Sequence, residues 1–304
     1  MVTDRKFGVE FEIISLKEKG RGDLKIIFEE NGLKVMGDGG GYRHTEVDDN
    51  YDVWDFKSDS SVTGPNGFEI ASPCLRGEEG LESLKLVCDI LQTEGWDGNE
   101  SCGLHIHQEA LDFAPASFLA LHQLYRGSQE PIDLFTEVRR FSTGSPTYCG
   151  MNKRIDSSIK LYKILSALMS DGGRRQNVNF GSFGSKGTIE FRQKQGVSSP
   201  SLVLPWTILT QSIMETAKEG KILDHVIREI GELFDFIDWD KSGSSIFKTT
   251  KEDLTKVYDE LNERCGEEER KKWEQNRQGT DPNFEYHPPS PGYNIGEERT
   301  VNFG

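Results

Sequence analysis

Three short segments place ionisable side chains at every second position: FGVEFE (Phe7–Glu12), GLHIH (Gly103–His107) and TIEFR (Thr188–Arg192). A β-strand turns successive side chains to opposite faces. Phe7, Val9, Phe11 and Ile13 therefore share one face of the first segment, and Glu10 and Glu12 share the other. His105 and His107 fall together, and Ile189 and Phe191 oppose Thr188, Glu190 and Arg192. Carboxylates crowded on one strand face repel each other unless cations sit between them. Glu10, Glu12, Glu69, Glu190 and a histidine make an oxygen-rich set with little sulfur, which suits Mg²⁺ or Mn²⁺ better than zinc. Arg192 projects into the same cleft, where a guanidinium is matched to a phosphate or a substrate carboxylate. Acids, histidine and arginine together point to metal-assisted phosphoryl chemistry. The chain has no GxxxxGK[ST] and no GxGxxG opening a helix, so the usual glycine-loop nucleotide sites are absent.

The elements that must position these groups follow from periodicity. Strands are expected at about Lys6–Ile14, Tyr51–Ser58, Phe68–Ala71, Leu104–Gln108, Asn177–Ser182 and Thr188–Lys194, the last two as a hairpin joined by a Gly-Ser-Lys-Gly turn. In the second strand Asp55 and Lys57 oppose Trp54 and Phe56, and in the third Glu69 opposes Phe68 and Ile70. Helical spacing runs through Asp23–Glu30, Leu81–Leu91, Ala116–Tyr125, Pro131–Arg140, Lys153–Met169 and Pro200–Ala217, with Ser199 as the N-cap of the last. The pattern is α+β: about six strands, mainly antiparallel, with one sheet face for helices and the other for a charged cleft.

We divide the chain into a catalytic unit (1–218), a helical extension (219–277) and an irregular tail (278–304). In the extension, Asp224–Ile237 and Thr250–Arg264 read as amphipathic helices, and this region is the expected site of any partner protein or oligomer contact. The tail is rich in Pro, Gly and charge, without periodicity. A net charge of −15 over 304 residues argues against a nucleic-acid or anionic-membrane partner. No apolar run approaches the roughly 20 residues of a membrane span, and the N-terminal residues lack the apolar core of a signal peptide. Five cysteines without a CxxC pair read as reduced thiols, so a cytoplasmic location is expected.

FGVEFE, DSS (Asp59–Ser61) with FEIASP (Phe68–Pro73), CGLHIH, RRQNVNF and GTIEFR, in that order, resemble the amidoligase family over about Phe7 to Gln195. That family is similar to the carboxylate–amine ligases of the glutamine synthetase and glutamate–cysteine ligase superfamily. The resemblance implies a curved antiparallel half-barrel of the glutamine synthetase catalytic-domain type, with helices on its convex face and ATP and divalent metal in the concavity. It implies formation of an amide from a small-molecule or peptide carboxylate and an amine, through an acyl phosphate. Carried over residue by residue, Glu10, Glu12, Glu69 and His105 are implied metal ligands, with Glu69 near the amine. Glu190 is implied to hold the metal that bridges the ATP phosphates. His107 would approach those phosphates, and Arg192 would stabilise the transferred phosphoryl group. Asp59 is implied as a weaker ligand or amine-site group, and Arg174, Arg175 and Asn179 as phosphate or substrate contacts. The separate N-terminal domain of glutamine synthetases has no counterpart before residue 7, which leaves substrate closure to insertions such as Ser15–Asn50 or to the C-terminal region.

Three other functions stand beside the ligase. One is phosphoryl transfer to an amine or guanidine, and another is a binding module that keeps the sheet without the chemistry. The third is a cupin-type metal enzyme built on His105, His107 and Glu109, which needs a further histidine on another strand. His122 and His225 instead fall in helical patterns.

Overall fold

The computed structural model describes residues 4–37, 52–133, 135–136, 152, 161–170 and 175–238. The organising element is β1 (Lys6–Ser15), which carries FGVEFE. On one side it pairs antiparallel with β4 (Phe68–Ala71), and on the other with β7 (Gly103–Glu109). The sheet continues outward from β4 to β3 (Trp54–Lys57) and β2 (Val35–Met36), and from β7 to β9 (Thr188–Gln195) and β8 (Val178–Asn179). Two-residue strands β5 (Leu75–Arg76) and β6 (Trp96–Asp97) pair with the two ends of β1. The result is an open, curved sheet in an α+β fold. It has nine strands among the described residues rather than about six, and it is mixed, because β2 runs parallel to β3.

The apolar face of β1 is fully used: Phe7, Val9, Phe11 and Ile13 are all at most 3% exposed. They join one continuous core with Ile70, Leu104, Ile106, Ile189 and Phe191 from the neighbouring strands. The helices α2 (Gly77–Glu94), α3 (Pro115–Gly127) and α7 (Pro200–Lys218) complete that core through Leu84, Leu91, Phe118, Leu121, Val203 and Ile213. Burying each such side chain contributes about 1.5–3 kcal/mol, which holds the opposite, polar face in register. α7 begins as the sequence predicts, with Ser199 preceding Pro200 at the first turn, although the Ser199 side chain makes no capping bond to the helix.

Several expectations need adjustment. The Asn177–Ser182 strand is confined to Val178–Asn179, and the β8–β9 connection is the short helix α6 (Ser182–Lys186) rather than a four-residue turn. Gly187, at φ 67°, ends that helix in the left-handed region that glycine tolerates. The helix expected at Asp224–Ile237 is observed as α8 (Ile230–Phe236), while Leu223 and Ile227 enter the same core without helical structure. The remaining helices are α1 (Arg21–Glu30), α4 (Gln129–Asp133) and α5 (Leu161–Ser170). The expected helix at Thr250–Arg264 and Arg174 lie outside the described residues. Burial pushes the Cys88 thiol upward, away from its reactive thiolate form. No described helix is long and apolar enough to cross a membrane.

Candidate active site

Strand register assembles the polar face. β1 against β7 sets Glu10 opposite His105. β7 against β9 sets His107 opposite Glu190, and β8 sets Asn179 beside Glu190. On the other flank, β4 sets Glu69 between Glu12 of β1 and Lys57 of β3. Eight polar side chains from six strands thus lie in adjacent rows on one surface.

Glu10, His107 and Glu190 converge: each offers a ligand atom within 4.8 Å of the others. His107 Nε2 lies 3.2 Å from Glu10 Oε1 and 4.0 Å from Glu190 Oε1. His105 Nδ1 lies 3.5 Å from Glu10 Oε2 and 3.6 Å from Glu190 Oε1, and its Nε2 lies 3.7 Å from Glu12 Oε1. These approaches lack hydrogen-bond geometry. His105 Nδ1 and His107 Nε2 are buried without a hydrogen-bond partner among the described residues. An orphaned buried nitrogen costs about 1–3 kcal/mol. The residues therefore fit a divalent cation: two carboxylates and the Nε2 of His107 converge, and that nitrogen has no hydrogen-bond partner among the described residues.

The surrounding contacts orient these groups. His107 Nδ1 is 3.0 Å from Thr188 Oγ1 and 3.4 Å from Ser182 Oγ. With the proton on Nδ1 donated to Thr188, the Nε2 lone pair faces Glu10 and Glu190, the tautomer a metal ligand needs. Glu190 Oε2 accepts from Asn179 Nδ2 at 2.6 Å, while Oε1 is paired with Arg192. Glu12 Oε2 accepts from the Gly103 backbone N–H at 2.6 Å, which fixes its carboxylate. Lys186 Nζ sits 3.2 Å from Glu10 Oε1. At the end of β1, buried Arg5 bonds to Glu215 of α7 and to both oxygens of Asp112, pinning β1 to the β7–α3 connection and to α7.

Electrostatics divide the face in two. Burial alone would raise the Glu10 carboxyl, but the facing His107, His105 and Lys186 overcome it and hold Glu10 well below the usual carboxylate range. Glu190 behaves alike: burial opposes ionisation, and Arg192 with His107 outweighs both burial and the charge of Glu10. Glu69 goes the other way. Burial, then the charges of Glu10, Asp59 and Glu12, push it up to about 8 against the pull of Lys57, whose Nζ is 3.5 Å away.

The structure brings together Glu10, Glu12, His105, His107, Asn179, Glu190 and Arg192. Glu69 is on the same face, joined to this group through charge. Asp59 is spent locally, accepting from the Ser61 N–H at 2.7 Å and hydroxyl at 2.6 Å, and reaches the site only by repelling Glu69. Arg175 is exposed and makes none of these contacts. The cupin-type set is not the one that forms: His107 converges with glutamates of two neighbouring strands rather than with Glu109, and His122 is buried on α3.

A family model described as a putative amidoligase enzyme matches residues 3–214. The chain belongs to this family. Every residue of the convergent cluster lies inside the matched span, and α7 closes it. No curated protein matches the chain. Family membership supports an amide-forming ligase as the class of enzyme.

Sequence reasoning missed Lys186, because Gly-Ser-Lys-Gly reads as a turn whose lysine faces solvent. It also left Lys57 unassigned and could not foresee the Gly103 amide. A cation in a connection beside a strand rich in facing acids is the signal that would have found Lys186.

Proposed function

We propose that this chain is an ATP-dependent carboxylate–amine ligase using Mg²⁺ or Mn²⁺, on a half-barrel sheet of the glutamine synthetase type. The observation that carries the proposal is the convergence of Glu10, His107 and Glu190, with Arg192 ion-paired beside them, in a chain of the amidoligase family. Glu10, Glu190 and the two histidines would hold the divalent ion, and Glu12 would extend the set toward β4. The ion supplies Lewis acidity and neutralises the polyphosphate. In the reaction, the substrate carboxylate attacks the γ-phosphorus of ATP, releasing ADP and forming an acyl phosphate. The amine nitrogen then attacks the carbonyl carbon, phosphate leaves, and the nitrogen loses a proton. Arg192, paired with Glu190, would stabilise charge on the transferred group. Asn179 keeps the Glu190 carboxylate oriented. Glu69, pushed up to about 8, exchanges its proton near neutral pH, and in its ionised form it would receive the proton the amine loses.

Supplying Mg²⁺, ATP and panels of carboxylate–amine pairs should give ADP release above background, with a condensed amide detected by mass spectrometry. Glu190→Gln should abolish it. If no pair raises ATP turnover and Glu190→Gln leaves nucleotide binding unchanged, the ligase reading fails. A phosphorylated amine in place of an amide would reassign the chain to phosphotransfer.

A further inference from the structure

Lys186 is the last residue of α6, in the connection that leads into β9. Its side chain is 28% exposed and reaches inward to the carboxylate at the centre of the cluster. Two groups share one oxygen there: Lys186 Nζ and His107 Nε2 each lie 3.2 Å from Glu10 Oε1. The ammonium therefore meets the same ligand oxygen that a divalent ion would use. A divalent ion and an ammonium sharing that oxygen would stand within a few ångströms of each other, where like charges repel strongly in a buried setting. The four-carbon lysine stem lets the ammonium withdraw outward, whereas Arg192 is held by Glu190 on the sheet itself.

We propose that Lys186 is an exchangeable counter-ion: it neutralises Glu10 while the metal is absent, and it moves to the anionic group that arrives with the metal. It is a positioning residue in this role, linking the two binding events. The inference rests on the metal reading of the Glu10–His107–Glu190 cluster. It makes opposite demands on one side chain, since removing Lys186 should help the metal alone and harm the metal–polyphosphate pair.

The test uses the full chain and measures Mn²⁺ binding by calorimetry, with and without a non-hydrolysable ATP analogue. Lys186→Gln should bind Mn²⁺ alone about five- to tenfold more tightly than wild type, as expected when a competing unit charge a few ångströms away is removed. With Mn²⁺ present it should bind the analogue more weakly, by about the same factor. Lys186→Arg, which keeps the charge, should stay near wild type in both. Unchanged or weaker Mn²⁺ binding by Lys186→Gln, with wild-type binding intact, would overturn the counter-ion role while leaving the metal centre standing. If wild type binds no Mn²⁺, or Glu190→Gln leaves that binding untouched, the metal centre itself is wrong and the counter-ion role falls with it.

Discussion

The two flanks of the polar face use the same residue type in opposite ways. Toward β7 and β9, the partly buried Glu10 and the buried Glu190 are held below the usual carboxylate range, because His107, Arg192 and Lys186 crowd against them. Toward β4 and β3, Glu69 is equally buried but meets other acids and one lysine, and it holds its proton to about pH 8. The difference comes from neighbours rather than from burial, since all three carboxylates are withdrawn from water. One flank is prepared to accept a cation, and the other to accept a proton. Such divergence between adjacent titratable groups marks where acid–base and charge-binding roles have been separated.

The largest test of this contrast is Glu190→Gln. It removes a ligand and strands Arg192, and kcat should fall about 10³-fold with loss of Mn²⁺ binding, measured by turnover and calorimetry. Should Glu69→Gln abolish Mn²⁺ binding as completely, the two flanks would not differ in kind. Arg192→Lys keeps the charge but not the planar donors, and should lower kcat by about 10²-fold while the KM for ATP changes little.

A third experiment addresses the proton side in the metal-free protein. Because the folded-state value of Glu69 lies above its unfolded value, the folded form binds the extra proton between about pH 4.5 and 8. Its contribution to stability is complete at low pH and is lost as pH rises through that window. Denaturant titrations should show Glu69→Gln gaining about 1–3 kcal/mol over wild type between pH 5 and pH 9. A parallel pH dependence in the two proteins would show that Glu69 is ionised in the fold. The smallest expected effect is that of Arg175→Ala. The residue is exposed, and both turnover and stability should stay within about twofold and about 0.5 kcal/mol of wild type.

Sequence periodicity made the central strands legible because each buries one face completely. Phe7, Val9, Phe11 and Ile13 alternate with Gly8, Glu10 and Glu12 over a length no helix pattern imitates. β2, β5 and β6 were invisible, since two residues carry no period. Nor does a two-residue strand announce its direction, so the parallel β2–β3 pairing had no local signal. The cluster itself was readable to the extent that alternation and register coincide: Glu10, His105, His107 and Glu190 were named from their faces and do converge. Asp59 was named through the DSS motif of the family resemblance, and an aspartate two residues before a serine also has a local use as a turn, which the structure shows. Lys186 escaped because its ion pair with Glu10 joins distant parts of the chain, and its one local signal is its place beside an acid-bearing strand.

One irregularity in β9 has a consequence for the charge of the whole cleft. Between Ile106 and Leu104, β7 advances two residues while β9 advances three, from Phe191 to Lys194. That extra residue is a bulge, and beyond it the strand's faces exchange. Gln193 and Lys194 consequently both reach partners off the polar face, Tyr125 and the Phe135 carbonyl. In an unbroken strand Lys194 would follow Glu190 and Arg192 onto the polar face, near the Gly103 end where Glu12 sits. The bulge spends that cation in the interior instead. The acidity that lets this surface gather positive charge is therefore set by where one strand changes phase, and not only by which acids it carries.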